Sequence, residues 1–164
     1  NVIIDTVETG TYEAFDLAVS PDGSRVYIAN EEDGLSYLDT SDNSLVGVIE
    51  EAHKVYARLA VSPGGEYVYV ATYHDRNFQA EVSVIDTDTL GLAAIIPITL
   101  PYQFLEFKGM DIHPTASELY MIYKAGSTGL NDFYVIDTMS NTIVDSLKIG
   151  VEGDIYGDLL IIRP

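Results

Sequence analysis

The 164-residue sequence contains no cysteine. Disulfides and thiolate metal sites are therefore excluded, although this absence does not assign a compartment. Basic residues are scarce, with 8 Lys+Arg against 26 Asp+Glu and a formal net charge of −18. Phosphate binding needs a cationic surface, so this balance argues against DNA or RNA as the main partner. It argues equally against docking on an anionic membrane surface. No run approaches the roughly 18 apolar residues that span a bilayer. Helical periodicity is also missing, and helix is expected to be nearly absent.

Signatures of chemistry are missing as well. There is no Gly-x-Ser-x-Gly, no His-Glu-x-x-His and no glycine-rich phosphate loop. Only His53, His74 and His113 exist, and no two stand at a metal-ligating spacing. The acidic clusters Glu31-Glu32-Asp33 and Glu50-Glu51 match no EF-hand loop and read as solvated charge. We expect no metal and no cofactor. The chain opens on Asn1 without a charged-then-apolar leader, so we expect it to be processed, excised or truncated.

What is present is an apolar fraction of 47%, too high for a disordered acidic tail. It is organised as an internal repeat. Leu17-Ala18-Val19-Ser20-Pro21-Asp22-Gly23 recurs as Leu59-Ala60-Val61-Ser62-Pro63-Gly64-Gly65, and more weakly as Met110-Asp111-Ile112-His113-Pro114. A second motif follows in step: Val26-Tyr27-Ile28-Ala29-Asn30, Val68-Tyr69-Val70-Ala71-Thr72 and Leu119-Tyr120-Met121-Ile122-Tyr123. A third closes each unit: Tyr37-Leu38-Asp39-Thr40, Val84-Ile85-Asp86-Thr87 and Val135-Ile136-Asp137-Thr138. Each unit reads as four strands bounded by Gly, Pro, Asp, Asn and Ser. The expected strands are 16–20, 25–30, 35–40 and 44–51, then 58–62, 67–72, 81–87 and 92–99, then 109–113, 118–124, 132–138 and 142–149. Ser-Pro-Asp-Gly presets a turn, because proline fixes φ and glycine accepts φ > 0. The Asp of each Asp-Thr can accept backbone amides of the turn that follows.

Four short strands in about 40–50 residues is the arithmetic of a β-propeller blade. The expected class is all-β, a propeller of four-stranded antiparallel blades with strands a to d from inner to outer. The motifs resemble the YVTN family of β-propeller repeats, carried by Val26-Tyr27-Ile28-Ala29-Asn30 and Ser20-Pro21-Asp22-Gly23. The resemblance covers nearly the whole chain and is specific for fold rather than function. Its members include archaeal surface-layer proteins, propeller subunits of amine dehydrogenases and lactonase-like relatives. The third repeat departs from the pattern at His113 and Thr115-Ala116.

The expected divisions are an outer strand of a preceding blade in 1–15, blades in 16–58, 59–108 and 109–157, and an inner strand of a closing blade in 158–164. Residues 1–10 align with 141–150, which is why the chain is read as opening on a d strand. Three blades do not close a ring, since propellers use about 4–8. The chain is therefore expected to be part of a larger propeller, seven-bladed on this reading. Its partners would be the remainder of that propeller, another protein chain, or a second copy joined through exposed blade edges.

In a propeller the d–a and b–c loops share one rim. Here that rim would hold Tyr12, Phe15, His53, Tyr56, Arg58, Tyr73, His74, Arg76, Tyr102, Phe104, Phe107, Lys108, Lys124 and Tyr156. Five of the eight basic residues lie on its segments, the fifth being Lys54. Such a rim can recognise a partner, or its aromatics can plug the funnel between blades. No catalytic residues are expected. The first functional reading is a non-catalytic binding or scaffold module at the cell surface or outside the cell. The resemblance also admits a propeller subunit or half of a periplasmic quinoprotein or quinohaemoprotein amine dehydrogenase. More weakly, it admits a lactonase-like enzyme built on Arg58, His74 and Arg76.

Overall fold

The computed structural model describes residues 2–9, 13–30, 34–49, 58–74, 79–98, 105–125 and 130–149. Val, Ile, Leu and Tyr alternate in these segments with smaller or polar residues, which is the pattern of a pleated strand. Twelve strands result among the described residues, and no helix. They are β1 (Ala14–Val19), β2 (Arg25–Asn30), β3 (Gly34–Asp39), β4 (Ser44–Ile49), β5 (Arg58–Val61), β6 (Tyr67–His74), β7 (Gln79–Asp86), β8 (Leu92–Ile98), β9 (Leu105–Ile112), β10 (Glu118–Ala125), β11 (Leu130–Asp137) and β12 (Thr142–Ile149). They form three antiparallel sheets, β1–β4, β5–β8 and β9–β12, each in chain order. The all-β architecture of four-stranded units is the one expected.

Several strand limits differ from the sequence expectation, and burial explains two of the extensions. The β6–β7 ladder continues to the pair His74 and Gln79, because Tyr73 and Ala80 also bury themselves. The third sheet starts at Leu105 rather than residue 109, since Phe107 packs into the core and carries the ladder with it. The leading segment, expected as the outer strand of a preceding blade, is described in residues 2–9 without that blade. Residues 2–9 join no sheet. They touch the first blade through Asn43 Nδ2, which donates to Asp5 Oδ2 at 3.1 Å, and Ser36 Oγ, which donates to the Thr9 carbonyl at 3.4 Å. An outer strand pairs only with the third strand of its own blade, and no such neighbour is among the described residues. The trailing inner strand expected at 158–164 lies outside them.

The sheets pack face to face, with first strand beside first strand, β1 against β5 and β5 against β9. Period-two alternation lets one strand serve two interfaces. Val68 and Val70 of β6 turn to the first blade and pack with Tyr27, Ala29 and Leu35. Tyr69, Ala71 and Tyr73 turn to the third and pack with Met110, Leu119, Met121 and Tyr123. The second blade is thus covered on both faces. A hydrogen bond joins the inner strands, from the Leu59 amide to Asp16 Oδ2 at 3.0 Å.

Every outer strand carries a bulge at the same repeat position, between Tyr37 and Leu38, Val84 and Ile85, and Val135 and Ile136 on its partner. The residues left over, Val46, Ala93 and Val144, are exposed. A bulge bends and twists the strand that bears it, which blunts an open edge.

Candidate recognition surfaces

The a–b turn is built by one serine. Ser20 Oγ accepts from the Arg25 amide at 2.9 Å and donates to Asp22 Oδ1 at 2.6 Å. Asp22 also takes the Ser24 amide at 3.0 Å. These bonds favour the ionised carboxylate, the one from Ser20 most, and lower the Asp22 pKa from 3.8 to about 2. In the second blade Ser62 Oγ accepts from the Tyr67 amide at 3.0 Å and donates to Glu66 Oε2 at 3.2 Å. Glu66 thereby replaces the aspartate that the repeat lacks at Gly64. In the third blade the ring of His113 takes over. Its Nδ1 accepts from the amides of Thr115 at 3.1 Å and Ala116 at 2.8 Å. The turn survives there on a different acceptor. Gly23 and Gly65 have φ of 76° and 86°, the left-handed conformation for which glycine stands in the motif.

The c–d turns work the same way. Asp86 Oδ1 accepts from the amides of Asp88 at 3.1 Å and Thr89 at 2.7 Å. Asp137 Oδ1 accepts from Met139 and Ser140, and Asp39 Oδ1 from Ser41. All three carboxyls sit below their usual pKa, held there by hydrogen bonds from Thr89, Ser140 and Ser41 respectively. The acidic residues of this rim are thus largely spent on turns. Between its first two blades is a cavity of about 390 Å³ beside Arg25, Glu66 and Asp88. Arg25 Nη1 donates to the Thr87 carbonyl at 2.8 Å, and its guanidinium lies 5.7 Å from the Tyr37 ring centroid.

The opposite rim is where recognition residues are expected. Tyr12, His53, Tyr56, Arg76, Tyr102, Phe104 and Tyr156 lie outside the described residues. The backbone of His74 closes β6, and its side chain is likewise outside them. The structure corrects the expectation for two others. Tyr73 is 3% exposed and Phe107 2% exposed. Both belong to the core between the second and third blades, so they plug rather than recognise. Both sit where a ladder outlasts its motif, and apolar side chains at such ends turn inward. Phe15, Arg58, Lys108 and Lys124 are half-buried, and each is engaged with neighbouring groups.

The sequence reading missed a polar knot in the third blade, on its side facing the second. Tyr123 Oη donates to Asp132 Oδ2 at 2.7 Å and lies 3.1 Å from Tyr134 Oη. The two tyrosine rings stack with centroids 5.3 Å apart. Burial above all, with the bonds to Tyr134 and Asp132, pushes the Tyr123 phenol far above its usual pKa. Asp132 Oδ1 has no hydrogen-bond partner. The knot ties β10 to β11 within the third blade. The only hint in sequence was two tyrosines at positions that hold Asn30 and Ser36, or Thr72 and Ser83, in the other repeats.

A cavity of about 420 Å³ runs beside the three inner strands, past Asp16, Asp111 and the prolines Pro21, Pro63 and Pro114. It is the axial channel that adjoining first strands create. Among the described residues no cluster of His, Asp or Glu could hold a metal, and no helix is long and apolar enough to cross a membrane.

No protein-family model matches the chain, and no curated protein does. Solved structures do match. The chain is similar to the structure of U3-55K, at 16% identity and a TM-score of 0.62, over 85% of this chain and 40% of that one. It is also similar to the crystal structure of RRP9 WD40 repeats, at 14% identity and a TM-score of 0.63, over the same shares. The chain therefore has the β-propeller repeat fold, and it spans about two-fifths of the length of these structures.

Proposed function

We propose that this chain is a non-catalytic binding or scaffold module. In this reading it forms part of a larger β-propeller ring and acts outside the cell or at its surface. The carrying observation is the division of labour between the two rims. On the a–b and c–d rim, Asp22, Asp39, Asp86, Asp137 and His113 are all consumed in holding turns. In this reading the segments between those turns, whose sequence carries Arg76, Tyr102 and Phe104, are left for recognition. Loops on a rigid scaffold are the usual place for binding residues. The YVTN resemblance and the acidic surface support an extracellular setting. The oxidoreductase alternative gains no supporting observation.

The test compares wild type with a Tyr102→Ala/Phe104→Ala variant, using surface-exposed proteins of the source cell, cross-linked in place. Loss of cross-linked partners from the variant, with circular dichroism unchanged, is the expected result. Undiminished cross-linking would remove the loop rim as the recognition surface.

A further inference from the structure

A polar pair lies on the diagonal from the second strand to the third at the same place in every blade. It is Asn30 and Ser36 in the first blade, Thr72 and Ser83 in the second, and Tyr123 and Tyr134 in the third. The register puts each pair on one face of its sheet. Ser36 stands opposite Ile28, two residues before Asn30. Ser83 stands opposite Val70, two before Thr72, and Tyr134 stands opposite Met121, two before Tyr123. In the second blade this is the face that Val68 and Val70 turn to the first.

The first and third pairs close directly. Asn30 Nδ2 donates to Ser36 Oγ at 2.5 Å, and the two tyrosine hydroxyls lie 3.1 Å apart. The second pair does not close. Thr72 and Ser83 are each 1% exposed. Neither Thr72 Oγ1 nor Ser83 Oγ has a hydrogen-bond partner among the described residues. Reach explains the difference. Side chains on a ladder diagonal start about 7 Å apart. An asparagine amide nitrogen stands two bonds beyond Cβ, whereas a threonine or serine oxygen stands only one bond beyond it. Two short hydroxyls facing each other are thereby left about 5 Å apart. That is too far for one hydrogen bond and within the reach of two bonds of about 2.8 Å each.

A buried hydroxyl without a partner keeps its full desolvation cost. Buried polar groups that lack a protein partner are ordinarily satisfied by ordered water. We propose that an internal water binds between Thr72 Oγ1 and Ser83 Oγ and bridges β6 to β7 inside the interface of the first two blades. Each hydroxyl can donate or accept, so the water has two partners, enough to hold a buried water. It does in the second blade what the Asn30 amide does in the first and the Tyr134 hydroxyl in the third. The site is separate from the loop rim and stands whether or not that rim binds a partner.

The test joins high-resolution crystal structures of the 164-residue chain and of Thr72→Asn to urea unfolding of Thr72→Val, Ser83→Ala and the double variant. In wild type a water peak is expected within hydrogen-bond distance of both oxygens. In Thr72→Asn it should vanish, with the introduced amide bonded to Ser83 Oγ as Asn30 is to Ser36. Thr72→Val keeps the shape and loses the hydroxyl. It should raise the unfolding equilibrium constant roughly fivefold, the net worth of one hydrogen bond. The double variant should raise it by less than the product of the single effects, because either change alone breaks the bridge. Wild type without density at this point, or with hydroxyls bonded to main-chain carbonyls instead, overturns the inference. So does a Thr72→Val chain at least as stable as wild type, which would mark that hydroxyl as an orphan, or single effects that simply multiply.

Discussion

A side-chain acceptor, whether hydroxyl, carboxyl or imidazole nitrogen, holds the described a–b and c–d turns, and the repeat accommodates a change of acceptor. Asp22, Glu66 and His113 meet the same local need with three different side chains. The Asp22 carboxyl titrates at about 2 when folded against 3.8 ordinarily. A depressed folded pKa means that its stabilisation is complete above about pH 4 and is lost as pH falls through about 2. Asp39, Asp86 and Asp137 shift the same way. Ser20→Ala removes the largest cause. It should bring Asp22 back towards 3.8 and lower the melting temperature, as followed by carboxyl NMR shifts and thermal unfolding. These turns were legible in sequence because Ser-Pro-Asp-Gly and Asp-Thr carry their mechanism in their residue types. The third a–b turn was less so, since nothing local says that a histidine nitrogen will accept two amides. Leu90 was not legible at all. It has φ of 57° where the other repeats place Asn43 and Asn141 at 56° and 55°. That conformation disfavours a bulky residue, and packing of Leu90 against the first-to-second blade core offsets it.

The order and faces of the strands follow from alternation. Val68 and Val70 against Tyr69, Ala71 and Tyr73 read directly as two buried faces, which only a sheet packed on both sides requires. The bulges escaped detection, because an extra exposed residue such as Val46 or Val144 breaks the alternation without leaving a turn signal. Strand ends escaped for a related reason. Motifs mark strand centres, whereas ladders run on wherever a side chain such as Phe107 still finds the core. Burial also separates substitutions that look alike in sequence. Leu119 is fully buried between blades, whereas Leu147 is 63% exposed. Leu119→Ala should cost about 2–5 kcal/mol by urea unfolding, as large-to-small core changes do. Leu147→Glu should fall within about 0.5 kcal/mol of wild type.

The described residues form three blades set side by side around one axis, adjoining through their inner strands. The fold was legible because a four-strand unit repeated three times has few ways to bury itself. The proposed recognition rim was legible only as a composition, since aromatics at strand ends such as Tyr73 read alike whether they plug or recognise. The central claim is that the blades adjoin through their inner strands, and the Asp16 carboxylate holding the Leu59 amide at 3.0 Å is its most specific mark. Amide hydrogen exchange at Leu59 tests it most directly. The account predicts a slowly exchanging Leu59 amide in wild type that becomes fast in Asp16→Ala, while the Val70 amide on β6 keeps its protection. A Leu59 amide that exchanges freely in wild type, or is indifferent to Asp16, would contradict it.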